Sequence, residues 1–129
     1  MRQQHEILRS APLLNASGDL AEPGWARSLL PVYRRADIKA DKLRIKEWDY
    51  YLITDGHVGL ALTIADNGYM GLDSVSFLDF DEGWEQTKSP MRLFPMGKTG
   101  LPESSADGAS EIARGGYALA FYHDDDGTR

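Results

Sequence analysis

The sequence predicts a mainly β protein built as an antiparallel meander, and two observations predict it. Glycine beside Asp, Asn or another Gly recurs after residue 43, as in Asp55-Gly56, Asn67-Gly68 and Gly115-Gly116. Glycine at such places tolerates the positive φ that tight hairpin turns require. Between these turn signals lie short runs rich in β-branched and aromatic residues. This alternation of strands and turns is typical of antiparallel hairpins.

Residues 1–42 are expected to form an N-terminal arm with one short helix. Short apolar clusters alternate there with proline, glycine and polar residues. The stretch 23–30 can complete one or two helical turns, which Pro31 would end. A helix this short is not stable alone and has to dock on the sheet. Its buried side is expected to consist of Trp25, Leu29 and Leu30.

Residues 43–129 are expected to hold the whole sheet. The predicted strands are 43–54, 58–66, 69–80, 84–89, 91–96, 110–114 and 117–123. Residues 97–109 form a long loop, and loops of that length are often functional. The last strand is followed by a turn signal at 124–127 and by no returning strand, so the domain is expected to be incomplete at its C-terminus. An unpaired outer edge on that strand favours self-association.

Composition limits the classes of function. The chain has no cysteine, which excludes a disulfide framework, a Cys-based zinc site and a thiol nucleophile. Residues 55–129 carry five Lys or Arg against thirteen Asp or Glu, a balance that argues against nucleic-acid binding. No apolar run approaches the roughly 20 residues of a membrane helix, and the N-terminus lacks an apolar signal core. We therefore expect a cytoplasmic protein with no metal and no cofactor.

The turn signals also place carboxylates on one face of the sheet. Two-residue loops at the Asp-Gly and Asn-Gly turns would put Asp49 and Asp73 on either side of Leu62, with Glu47 on the same largely apolar face. Carboxylates there are costly unless they are hydrogen-bonded or face a wet cavity. One interpretation is a polar ligand site, and the other is a set of structural, ion-paired groups. The candidate ligand-binding residues are Glu47, Asp49, Tyr51, Asp73 and Lys98.

Several ordered blocks carry a family resemblance over nearly the whole chain. They include Arg44-Ile45-Lys46-Glu47-Trp48-Asp49-Tyr50-Tyr51, Thr63-Ile64-Ala65-Asp66-Asn67-Gly68-Tyr69 and Phe94-Pro95-Met96-Gly97-Lys98. These blocks resemble a bacterial and fungal family known only as a domain of unknown function. More distantly, that family is similar to two-barrel calycin-like proteins that include hydroxyneurosporene synthase, a carotenoid hydratase. The resemblance implies an open lipocalin-like barrel or half-barrel, with this chain matching only the N-terminal part of longer members.

Two functions from different classes remain open. The first is a lipocalin-like module that binds a small, mainly apolar ligand, possibly as half of a two-barrel enzyme, with no reaction or catalytic residue assigned. The second is a structural or protein-interaction β module with a filled core. An open interior would favour the first, and a plug formed by Trp48, Tyr51 and Phe77 would favour the second.

Overall fold

The computed structural model describes residues 4–123 of the chain. The described residues divide into two compact units, one up to Ala40 and one from Asp41 onwards. Strands predominate, and the strand pairings of the second unit are all antiparallel. Within residues 4–123, no helix is long and apolar enough to cross a membrane.

The first unit is held by very short strand pairings. Strand β1 (Ala11–Pro12) pairs in parallel with β2 (Pro31–Val32). Between them, the Oδ1 atom of Asn15 accepts hydrogen bonds from the backbone N–H groups of Ser17, at 2.9 Å, and Asp19, at 3.1 Å. This side chain closes a tight turn, as Asn does when it mimics a backbone acceptor. Gly18 also donates its N–H to the carbonyl of Asn15 at 2.9 Å, so residues 15–18 form a tight turn.

The helix predicted over residues 23–30 is wrong. Trp25 donates to the carbonyl of His5 at 3.0 Å and accepts from the N–H of Ile7 at 2.8 Å, which fixes its backbone in an extended bridge. The second of these bonds uses the Trp25 carbonyl, which a helix would need for its own hydrogen bonds, and a helix of two turns is too short to compete. Leu29 is also exposed, at 67%. The one helical segment among the described residues is a 3-10 turn at Arg35–Asp37.

The second unit contains a five-stranded antiparallel sheet. Its strands are β3 (Glu47–Thr54), β4 (Val58–Asp66), β5 (Met70–Asp79), β6 (Trp84–Lys88) and β7 (Met91–Leu93). The order is β3-β4-β5-β6, and β7 pairs with β5 beyond the end of β6. A separate hairpin of β8 (Ala109–Arg114) and β9 (Tyr117–Tyr122) forms a two-stranded sheet of its own.

The antiparallel β prediction is confirmed, and the strand positions agree with the predicted ones to within a few residues. Across residues 4–123 the strands do not close into a barrel. The predicted turn at 124–127 lies outside the described residues.

The predicted hairpin register is wrong by two residues. Leu62 lies opposite Val75, and Asp73 lies opposite Ile64. Each loop has four residues instead of two, since the flanking pairs are Thr54 with Gly59 and Asp66 with Gly71. A shift of two keeps every side chain on its predicted face, because the side-chain period of a strand is two. Asp49 and Asp73 therefore still share a face, where they flank Ile64.

The two faces of the sheet differ. The face that bears Asp49, Ile64 and Asp73 packs against the β8–β9 hairpin, where Tyr51 and Phe121 meet with ring centroids 4.7 Å apart. Ile64 has no exposed surface and marks the centre of this core. The opposite face presents large exposed side chains at Trp48, Tyr50 and Leu52.

Candidate ligand-binding site

The centre of the site is a buried ion pair between Asp73 and Arg92. The Nε and Nη2 atoms of Arg92 donate to the two carboxylate oxygens of Asp73 at 2.7 and 2.8 Å. Asp73 is 1% exposed and Arg92 is 6% exposed. Two parallel hydrogen bonds of this kind fix geometry as well as charge. Asp73 is therefore one of the predicted carboxylates that is buried and ion-paired.

Strand pairing brings these two residues together. Arg92 lies opposite Gly71 in the β5–β7 ladder, two residues along β5 from Asp73 and on the same face. A Cβ atom at position 71 would lie 2.8 Å from the guanidinium carbon of Arg92, closer than two carbons can pack. Glycine at position 71 therefore gives the guanidinium room to lie across the strand and reach Asp73.

Arg92 links Asp73 to a second buried carboxylate. Its Nη1 donates to the hydroxyl of Thr99 at 2.9 Å, and that hydroxyl donates to Asp66 at 2.9 Å. Its Nη2 also donates to the carbonyl of Ala65 at 3.1 Å. All three guanidinium nitrogens of Arg92 therefore donate hydrogen bonds, as a buried cation requires.

Asp66 organises the loop that follows β7. Its carboxylate accepts the backbone N–H of Gly97 at 2.7 Å and that of Gly68 at 3.0 Å. Phe94 and Met96, on the same loop, adopt positive φ values of 51° and 52°, which non-glycine residues rarely do. The carboxylate and the backbone bonds from Phe94 to Tyr69 and from Met96 to Gly68 hold this conformation. Asp66 therefore has a structural role in fixing the loop that follows β7.

Tyr117 completes the cluster from the hairpin. Its hydroxyl donates to Oδ2 of Asp73 at 2.8 Å. Burial of the phenol, and then the hydrogen bond to Asp73, raise the pKa of Tyr117 above its ordinary value. The phenol therefore stays protonated at neutral pH and remains a donor to the carboxylate.

A cleft opens between the sheet and the hairpin beside this cluster. Its volume is about 300 Å³. Val75, Pro90, Ala118 and Leu119 form mainly apolar walls, Asp73 and Tyr117 form a buried polar side, and the exposed Lys88 lines it as well. Other pockets that the described residues form, two of them larger, are lined by residues of the first unit.

Two of the other predicted residues hold the hairpin against the sheet. Asp49 accepts a hydrogen bond from the hydroxyl of Ser110, and the hydroxyl of Tyr51 pairs with Nε2 of His123 at 2.9 Å. Ser110 is buried, at 2% exposure. Together with Tyr117, these contacts bridge β3, β5 and the hairpin over the same face.

Glu47 and Lys98 lie away from the cleft. Glu47 is half-buried at the start of β3, opposite Asp66, and it has contacts of its own. Lys98 is exposed, and its backbone N–H donates to the carbonyl of Pro95 at 2.9 Å within the loop. Of the five predicted residues, only Asp73 lines the cleft.

The predicted set omitted Arg92, Tyr117, Asp66 and Thr99. Arg92 carried a usable signal, because it is a lone charge between Met91 and Leu93 in a predicted strand. A charge at an inward position of a strand points to a buried partner. Asp66 carried another, since Asp before Asn-Gly is a common cap for a turn. Tyr117 and Thr99 gave no local signal, because their roles depend on partners 44 and 33 residues away.

Comparison with known proteins gives one match. A family model described as a domain of unknown function (DUF2804) matches residues 4–129. No curated protein and no solved structure matches the chain.

Proposed function

Since the chain belongs to the DUF2804 family, a domain of unknown function, we propose on the geometry of its own site that it binds a small, mainly apolar ligand. The ligand lies in the cleft between the five-stranded sheet and the β8–β9 hairpin. Its apolar part contacts Val75 and Leu119, and its polar end meets the Asp73–Tyr117 side.

One observation carries this proposal: a mainly apolar cleft of about 300 Å³ adjoins a hydrogen-bonded polar cluster around the buried Asp73–Arg92 pair. Small-molecule sites are typically concave and apolar with a few fixed polar groups, and this volume lies at the lower end of their range. Asp73 and Arg92 also hold each other, so the polar side is in place before a ligand arrives.

The lipocalin-like interpretation is part of the proposal. The antiparallel meander and a site on its hairpin-covered face support it, because binding inside a curved antiparallel sheet is how small barrels hold a single ligand. That the site serves one half of a two-barrel enzyme is a further hypothesis, and it rests on the resemblance alone.

Filling the cleft tests the proposal. We expect an apolar fluorescent probe to bind the purified chain, and Ala118→Phe to weaken that binding about tenfold, which corresponds to a loss of about 1.4 kcal/mol. Ala120→Phe is the matched control, because Ala120 is exposed on the same strand but does not line the cleft. Equal effects of the two variants, or no binding to the wild-type chain, would contradict the proposal.

A second candidate function is a protein-interaction module, and a separate observation favours it. Trp48, Tyr50 and Leu52 project side by side from one face of β3 and are 61%, 53% and 45% exposed. Contiguous exposed apolar side chains mark interaction surfaces more often than scattered ones do. They do not plug the cleft, because they lie on the opposite face of the sheet.

The two functions give different results in one experiment. Trp48→Lys should leave probe binding unchanged if the cleft is the site. Loss of a protein partner or of self-association on the same substitution, with no probe binding to the wild-type chain, would favour the interaction module instead.

A further inference from the structure

We propose, resting on the proposed function above, that the cleft selects a ligand whose polar end is an uncharged hydrogen-bond donor, a hydroxyl group above all. Tyr117 is then the residue that determines this specificity. The distribution of donors and acceptors around Asp73 leads to this assignment, and the size of the cleft does not enter it.

Asp73 faces only donors from the protein. As the partner of an arginine it is a carboxylate, and a carboxylate only accepts hydrogen bonds. It accepts Nε and Nη2 of Arg92 and the hydroxyl of Tyr117. Its side chain has no exposed surface. A ligand therefore meets Tyr117, which is only partly buried, before it meets the carboxylate.

The hydrogen of the Tyr117 hydroxyl is already used. It lies between the phenol oxygen and Asp73, at a donor–acceptor distance of 2.8 Å. A tyrosine hydroxyl keeps its hydrogen at neutral pH, and the raised pKa of Tyr117 moves its ionisation still further from that pH. What the phenol oxygen still offers is its lone pairs, so it can only accept a further hydrogen bond. A ligand group that donates a hydrogen bond fits this position. A ligand oxygen that only accepts would face the phenol oxygen of Tyr117 with no hydrogen between them.

The charges around the cleft disfavour a ligand whose polar end is ionised. Arg92 neutralises Asp73, so an ammonium group would lose its hydration in a mainly apolar cleft without gaining an unpaired carboxylate. A carboxylate end would face the acceptor oxygens of Asp73 and Tyr117. Among the described residues that line the cleft, Lys88 is the one remaining cation, and it is exposed and therefore hydrated. A neutral hydroxyl satisfies all of these conditions.

The test compares three ligands of equal chain length: 1-decanol, decyl methyl ether and decanoate. Each is titrated against an apolar fluorescent probe bound to the purified chain. We expect the alcohol to bind about three- to tenfold more tightly than the ether, the range that one net hydrogen bond supplies. Tyr117→Phe removes the acceptor and should bring the two ligands to within about twofold of each other. Tyr122→Phe makes the same change at a 57% exposed position of the same strand and should keep the preference.

The outcomes distinguish this inference from the proposed ligand-binding function on which it rests. Equal affinity of alcohol and ether for the wild-type chain, or tighter binding of decanoate, would overturn donor selection while leaving a ligand-binding cleft. Absence of any binding, probe included, would overturn both. The comparison of alcohol and ether binding to the wild-type chain is sufficient to test the inference. It therefore stays testable even if the Tyr117→Phe chain fails to fold.

Discussion

Arg92 is the residue on which the buried polar contacts of the sheet converge. Its guanidinium contacts Asp73, Thr99 and the carbonyl of Ala65. A buried ion pair adds little net stability, since the desolvation of both charges offsets their attraction. Removing one partner is different, because it leaves the other charge buried and uncompensated. The Asp73–Arg92 pair is therefore a point of vulnerability rather than a source of stability.

Asp73→Ala should lower the free energy of unfolding by about 3–5 kcal/mol, because Arg92 would stay buried without its carboxylate. The control is Asp81→Ala, which breaks an exposed pair with His57 and should cost less than about 1 kcal/mol. Urea unfolding of both variants measures the difference. Similar losses in the two would show that Arg92 reaches solvent and is not held as the structure has it.

Tyr117 gives stability a dependence on pH. Its pKa is raised in the folded chain above the ordinary value of a tyrosine, first by burial and then by its bond to Asp73. A raised folded-state pKa means that its contribution is full below the unfolded pKa and is lost as pH rises through the folded one. Wild-type stability should therefore fall more steeply above about pH 10 than that of Tyr117→Phe. Urea unfolding at stepped alkaline pH measures this, and parallel curves would mean that the phenol is solvated.

At the scale of elements, the Asp-Gly and Asn-Gly turns have the same sequence pattern but different surroundings. Gly56 has φ of 97° and open space around its missing Cβ atom. Gly68 has φ of 75°, and a Cβ atom there would lie 2.6 Å from the carbonyl oxygen of Lys42. The first turn is exposed, whereas the second is enclosed by the segment that leads into β3.

Gly68→Ala should therefore destabilise the chain more than Gly56→Ala. The exposed position bears only the strain of a positive φ, about 1–2 kcal/mol. The enclosed one adds a collision with the backbone of Lys42, for a total of about 3–4 kcal/mol. Paired urea unfolding curves decide it. Equal costs would indicate that the segment before β3 moves away without resistance.

These turns also show which parts of the fold can be predicted from the sequence. The positions of the glycine-containing turns predicted the strands and the face that Asp49 and Asp73 share, because both depend on local periodicity. The loop lengths were wrong because side chains extend the turns. The Oδ1 of Asp55 accepts the N–H groups of His57 and Val58, so the β3–β4 ladder begins at Gly59, although Val58 already pairs with Asp79 of β5.

The site was only partly predictable for a different reason. Asp73 was found because its inward position follows from strand alternation. Arg92, Ser110 and Tyr117 reach the face from β7 and from the hairpin, and their partners lie 19, 61 and 44 residues away. No local pattern encodes such separations. Lys98 was wrongly included for a related reason: it lies in a loop that the distant Asp66 anchors, and it is exposed and does not line the cleft.

At the scale of the whole molecule, large apolar side chains stay exposed on both faces of the sheet. Phe77 and Trp84 stack edge to face, with centroids 6.0 Å apart, at the end of the hairpin-covered face, and Trp48 projects from the other face. Among the described residues, β9 pairs only with β8. An open edge and exposed apolar faces both promote association, but they respond to different substitutions.

We expect the purified chain to self-associate with rising concentration, through the edge of β9. Ala120→Lys places a charge on that strand, as natural edge strands do, and should shift the light-scattering mass towards the monomer. Trp48→Lys alters the uncovered face of the sheet and should leave the association unchanged, so it serves as the matched control. The reverse pattern would assign association to the face, in line with an interaction module. A monodisperse wild-type monomer with cooperative unfolding would show that the edge of β9 is already protected, and the edge prediction would be wrong.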